Sequence, residues 1–104
     1  MKIAIIGVGN LGYSIASGIL NQDSIEYKSL YLSKRNIDSL KSWRELPKVT
    51  ITTDNKEAMK KSELIIIAVQ PNQLTDVLNE IKYYINSLCI ASHFIKKILS
   101  LCLF

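Results

Sequence analysis

An α/β fold, a doubly wound parallel sheet of five strands with flanking helices, is predicted by three observations. Runs of β-branched and apolar residues alternate along the chain with stretches of helical apolar spacing. The connections between them are short, as crossovers between parallel strands require. The first run, Ile3 to Ile6, passes without a spacer into Gly7-Val8-Gly9-Asn10-Leu11-Gly12, a G-x-G-x-x-G pattern that opens a helix. Strand, glycine turn and helix in that order form the Rossmann-like context of a dinucleotide-binding fingerprint. Gly7 suits the tight turn, Gly9 a close approach of pyrophosphate to the backbone, and Gly12 close packing of helix on strand.

The elements follow in order. Leu11, Ile15, Ile19, Ala16 and Leu20 recur at helical spacing, with Gly18 expected to allow close packing on the sheet. Asn21-Gln22-Asp23 suits a turn. Tyr27 to Ser33 reads as the second strand and ends in Ser33-Lys34-Arg35-Asn36. Asn36 is positioned to cap a helix from Ile37 to about Leu46, which Pro47 stops. Val49 to Thr53 is β-branched throughout, a third strand. Asp54 and Glu57 have capping-box spacing for a short helix ending near Ser62. Leu64 to Val69 reads as a central strand buried on both faces, stopped by Pro71. Leu74, Val77, Leu78 and Ile81 form an i, i+3, i+4, i+7 stripe on the next helix, with Asn72 as a cap. Leu88 to Ala91 is expected as the fifth strand, which closes a dinucleotide-binding domain over residues 1–91.

The chain of 104 residues is long enough for one core, and its 48% hydrophobic and 21% charged residues are ordinary for a globular domain. Its net charge of +4 is scattered in short clusters, without the basic stripe of a nucleic-acid binder. Cys89, Cys102 and the single His93 lack metal-ligand spacing, so no metal site is expected, and both thiols read as inert and buried. The start has no signal-peptide pattern and no run could span a membrane, so a cytoplasmic setting is the expectation.

The end of the second strand chooses the cofactor. NAD binders usually carry an acidic residue there, bonded to the ribose hydroxyls. Here Ser33, Lys34 and Arg35 stand in its place, and the first carboxylate is Asp38. A hydroxyl followed by two cations suits a 2′-phosphate, which an arginine fork can hold through two bonds. NADP is therefore expected over NAD. A solvent-facing basic turn is the plain alternative.

Ile6 to Gly12 followed by Ile15 to Leu20 closely resembles the opening of pyrroline-5-carboxylate reductases. Ser33-Lys34-Arg35, Thr53 to Ala58 and Ala68-Val69-Gln70-Pro71 continue the resemblance, in order and spacing, over roughly residues 1–90. The family reduces a cyclic imine to proline with hydride from NADPH or NADH. The resemblance implies that Ile6, Gly7, Val8, Gly9, Asn10 and Leu11 hold the pyrophosphate. It groups Gly12 with the cofactor-binding residues, and implies that Ser33, Lys34 and Arg35 hold the adenosine ribose phosphate and that Asn55 contacts the cofactor. Ala68, Val69, Gln70 and Pro71 would pass near the nicotinamide. On spacing alone, Asn55 reads equally as the first helical residue after its cap, and Pro71 as a strand terminator.

Two departures stand out. Gln70 occupies a position where the family usually has Lys, and residues 92–104 depart from the family altogether as an apolar tail expected to be helical. The family's second domain, which by the resemblance builds the dimer and much of the imine site, is expected to be absent. The chain is accordingly expected to bind NADP with little or no reductase turnover, the imine entering only if a second domain is supplied. No catalytic residue is assigned. The cofactor domain of another two-domain NADP-dependent reductase and a non-catalytic nucleotide-binding remnant remain as alternatives.

Overall fold

The computed structural model describes residues 1–22, 26–91 and 97–100. Strand β1 (Lys2–Ile6) leads through the glycine turn into α1 (Asn10–Asn21) and then β2 (Ser29–Ser33). A 3₁₀ helix (Ile37–Trp43), β3 (Val49–Thr52), α2 (Asn55–Lys60), β4 (Leu64–Ile67) and α3 (Pro71–Ala91) follow. Strand order is β3-β2-β1-β4, parallel throughout, with a short strand β5 (Lys97–Ser100) alongside β4. The chain steps outward from β1 to β3, then returns to the other side of β1 as β4. This reversal of order opens a crevice at the carboxyl ends of β1 and β4.

The expectation of five strands ending at Leu88–Ala91 is corrected. The alternating strand-and-helix pattern supplies four strands, β1–β4, and residues 88–91 are the last turn of α3. A short apolar run reads the same in a strand and in a buried helix, and neither Gly nor Pro interrupts the chain between Asn72 and Ala91. The helix that starts at Pro71 therefore has no reason to stop before 88. Within the tail expected to be helical, Lys97–Ser100 is extended, with Ile65 in register with Ile98 and Ile67 with Ser100. Asp23, His93 and Cys102 lie outside the described residues.

Helices cover both faces of the sheet, and the alternation of β1 shows how. Ile3 and Ile5 point into one cluster with Ala16, Ile19, Leu30, Leu32 and Leu40, under α1 and the 3₁₀ helix. Ala4 and Ile6 point into the other with Ala58, Met59, Ile65 and Ile67, under α2 and the start of α3. Successive side chains of a strand face opposite ways, so a run apolar at every position needs cover on both sides.

Four local expectations are revised. The helix expected over Ile37–Leu46 is a 3₁₀ helix that buries only Leu40, its cap formed as expected by Asn36 Oδ1 on Asp38 N–H at 3.0 Å. A single buried anchor and two serines give little reason to hold an α-helical register. The capping box forms by half: Asp54 accepts from Lys56 N–H at 3.0 Å, whereas Glu57 accepts from the Thr52 hydroxyl at 3.1 Å. That hydroxyl also accepts from Asp54 N–H at 3.0 Å, so Thr52 takes the bond the box would have given to Glu57. Gly18 faces open space, not the sheet. On α3, Leu74 and Val77 pack inward while Leu78 is exposed, so the apolar stripe is narrower than its spacing implied. Among the described residues no helix is long and apolar enough to cross a membrane.

The glycine turn is the tightest point of the fold. Gly7 has φ +79°, in the left-handed region, and a Cβ added there would stand 2.2 Å from Val69 Cγ1. Gly7→Ala is therefore expected to cost about 1–3 kcal/mol from backbone strain alone, with the clash adding to it. Urea denaturation measures this, and an unchanged midpoint would show that β4 and the turn move apart at little cost.

Candidate functional site

At the carboxyl ends of the strands the register aligns Ile6 with Ser33 and Ile67, and Ser33 with Thr52. The segments leaving this row enclose a cavity of about 350 Å³. Its size lies within the range of small-molecule sites.

One wall is the glycine turn and the start of α1: Gly7, Gly9, Asn10 and Leu11. The Gly7 and Val8 amides both donate to the Ser33 carbonyl at 2.9 Å, and Gly9 N–H donates to the Gly7 carbonyl at 2.8 Å. The first bond of α1 runs from Tyr13 N–H to the Gly9 carbonyl at 2.8 Å, and no side chain caps the helix. The amides of Asn10, Leu11 and Gly12 thus precede the intrahelical ladder, at the positive end of the helix dipole. A Cβ on Gly9 would meet nothing within 4 Å, so the space beside it is open to a ligand. Gly12 is buried beneath, where a Cβ would lie 3.2 Å from the Gly7 carbonyl and 3.3 Å from Ile5 Cγ2. Its role is the close helix–strand approach expected from the sequence.

The second wall follows β2. Lys34, Arg35 and Asn36 line the cavity. Lys34 Nζ donates to Ser39 Oγ at 2.8 Å, while no described residue bonds the exposed Arg35 guanidinium. Ser33 is not on the wall. It is 1% exposed, its carbonyl holds the glycine turn, and its hydroxyl donates to Asn55 Oδ1.

Asn55, the first residue of α2, lines the cavity beside Thr53, and its Nδ2 donates to Glu80 Oε2 at 3.3 Å. The remaining wall follows β4 with Ala68, Val69 and Gln70, and continues onto α3 with Gln73 and Val77. Pro71 is exposed off the wall as the first residue of α3, a position where its missing N–H costs nothing. Gln73 N–H donates to the Gln70 carbonyl at 2.9 Å.

The structure therefore gathers eleven of the fifteen residues singled out in the sequence around one cavity; Val8, Gly12, Ser33 and Pro71 support it from behind or beside. Asn36, Thr53, Gln73 and Val77 line it without having been expected there. The last two had a signal, since they stand three and seven positions after Gln70 and so return to its side of α3. None of the lining residues is acidic, and Lys34 and Arg35 are its cations. Among the described residues no group of three or more His, Cys, Asp or Glu could hold a metal ion. Unpaired helix amides, open space at Gly9 and a cationic wall without a carboxylate form a site for a phosphate-bearing ligand.

Comparison with known proteins agrees with this chemistry. The family described as NADP oxidoreductase, coenzyme F420-dependent, matches residues 2–92. Pyrroline-5-carboxylate reductase 2 of Dictyostelium discoideum is 36% identical over 84 residues, covering 81% of this chain and 28% of that protein. The pyrroline-5-carboxylate reductase of Methanobrevibacter smithii is 34% identical over 86 residues, covering 82% and 34%. The crystal structure of Plasmodium falciparum pyrroline carboxylate reductase with NADP bound superposes with a TM-score of 0.70 at 25% identity, covering 98% of this chain and 33% of that one. The pyrroline-5-carboxylate reductase of Coxiella burnetii gives a TM-score of 0.74 at 25% identity, covering 98% and 35%. The chain spans about a third of the length of these relatives. It belongs to the family described as NADP oxidoreductase, coenzyme F420-dependent, and is homologous to the pyrroline-5-carboxylate reductases over most of its own length.

Proposed function

We propose that the cavity holds NADP(H) and that the chain serves as the cofactor-binding part of a pyrroline-5-carboxylate reductase-like oxidoreductase. One juxtaposition carries this reading. The uncapped start of α1, with open space at Gly9, shares a cavity with Lys34 and Arg35, on walls that carry no acid. The backbone amides of Asn10, Leu11 and Gly12 would take the pyrophosphate. Arg35, with no protein partner among the described residues, would take the 2′-phosphate of the adenosine ribose, with Lys34 beside it. An NAD site would want a carboxylate at that place. Asn55 would bond a ribose hydroxyl, and Ala68, Val69 and Gln70 would flank the nicotinamide.

Bound NADPH supplies a hydride, and the protein's part is to hold the ring in one orientation and keep water away. The imine of pyrroline-5-carboxylate is the substrate class we propose by homology. Its carboxylate would need a cation or several donors near the nicotinamide. The β4 side of the cavity offers Gln70 and Gln73, both neutral. The chain is thus equipped to orient the cofactor more than to clamp a small anionic ring.

Thermal shift with NADPH and NADH tests the cofactor. NADPH at a hundredfold excess over its Kd should add about 2.7 kcal/mol of stability, with NADH binding more weakly. Gly9→Ala should cost the free protein no more than about 1 kcal/mol, from the preference for Gly over Ala at a helix N-cap, yet weaken NADPH by more than about tenfold. Absence of any shift with either nucleotide would overturn the reading.

Arg35→Ala should weaken NADPH by about tenfold or more while changing NADH little, since only the 2′-phosphate contact is lost. Equal losses for both nucleotides would move Arg35 away from that phosphate. With pyrroline-5-carboxylate present, oxidation of NADPH by the 104-residue chain should stay near background. Rapid turnover would show that Gln70 and its neighbours hold the substrate unaided.

A further inference from the structure

A chain of side-chain hydrogen bonds starts behind the cavity wall and ends on α3. The buried Ser33 hydroxyl donates to Asn55 Oδ1, and Asn55 Nδ2 donates to Glu80 Oε2 at 3.3 Å. The direction of the whole chain follows from its far end. A carboxylate can only accept, so the Asn55 nitrogen must face it and the Asn55 oxygen must face Ser33. Turned over, Asn55 would press its oxygen against the carboxylate, acceptor against acceptor. Ser33 is left to donate, and its carbonyl meanwhile holds the Gly7 and Val8 amides. An exposed carboxylate on α3 thereby sets the state of a buried hydroxyl beneath the glycine turn.

We propose that Glu80 is a positioning residue of the nucleotide site, acting through Asn55; the inference rests on the NADP(H) reading above. Glu80 is not on the cavity wall, whereas Asn55 is. With its orientation set, Asn55 offers the cavity one remaining Nδ2 hydrogen and one remaining Oδ1 lone pair in a single arrangement. The cost of ordering that amide is then met before a ligand arrives. The same bond fastens α3 to α2, so the helix that carries Gln73 and Val77 is tied to Asn55 on the facing wall of the cavity.

The sign of the effect separates this role from simple electrostatics. Removing a negative charge near a ligand that bears several phosphates strengthens binding by relieving Coulomb repulsion. A positioning role requires the opposite. Glu80→Ala is expected to weaken NADPH by about 3–10-fold, and Glu80→Gln, whose amide can turn either Oε1 or Nε2 to Asn55 and so no longer forces one orientation, by a smaller loss of about 2–5-fold. In amide NMR spectra of the ligand-free protein, the Asn55 side-chain signals should move in both variants, further in Glu80→Ala. Unchanged or tighter NADPH binding by either variant overturns the proposal alone, as do Asn55 side-chain signals that stay in place in Glu80→Ala. A wild-type chain that binds no NADPH overturns the cofactor reading, and the proposal with it.

Discussion

Two amides on one carbonyl hold this site together. Gly7 and Val8 both donate to Ser33 at the end of β2, which pulls the chain leaving β1 sideways over its neighbour and aims α1 back along the sheet. The geometry requires a positive φ at Gly7, and Val69 at the end of β4 fills the space where any Cβ would be. Three adjacent strands therefore meet at one residue without a side chain. The amides of Asn10, Leu11 and Gly12 face outward because the turn beneath them is held in this way.

Chemistry begins where the sheet's own bonding ends. Up to the row of Ile6, Ser33, Thr52 and Ile67, the inner strands β1, β2 and β4 are paired on both sides and largely buried, with β3 at the edge. Beyond that row the chain must turn, and its polar groups need other partners. Ser33 and Thr52 stand on the boundary and solve the problem differently. Ser33 turns inward and braces the turn and Asn55, while Thr52 organises the start of α2 by bonding both Asp54 and Glu57. Neither lines the cavity, yet both place residues that border it.

How much of this could be read from the residues alone depended on the range of the interaction. The strand–glycine–helix opening was legible because strand propensity, turn chemistry and helical spacing are local and agree with each other. Lys34 and Arg35 were legible as a pair because they follow directly from the end of β2. Adjacency in sequence places Ser33 with them, but strand alternation and its bond to Asn55 turn it away from the cavity. Leu88–Ala91 misled because an apolar run has no period that distinguishes a strand from a continuing helix. Gly18 misled because smallness says nothing about which side of a helix a residue occupies.

From sequence came the parallel α/β sheet, the place of the glycine turn and the pair of cations Lys34 and Arg35 at the end of β2, since each follows from residues close together in the chain. Tertiary structure alone decided that Gln73 and Val77 of α3 complete the cavity and that β5, not residues 88–91, lies beside β4. It alone decided that Ser33, Asn55 and Glu80 form one bonded chain, because these residues lie 22 and 25 positions apart. Spacing along a chain reports the faces of single elements. Which faces meet is decided only when the elements pack.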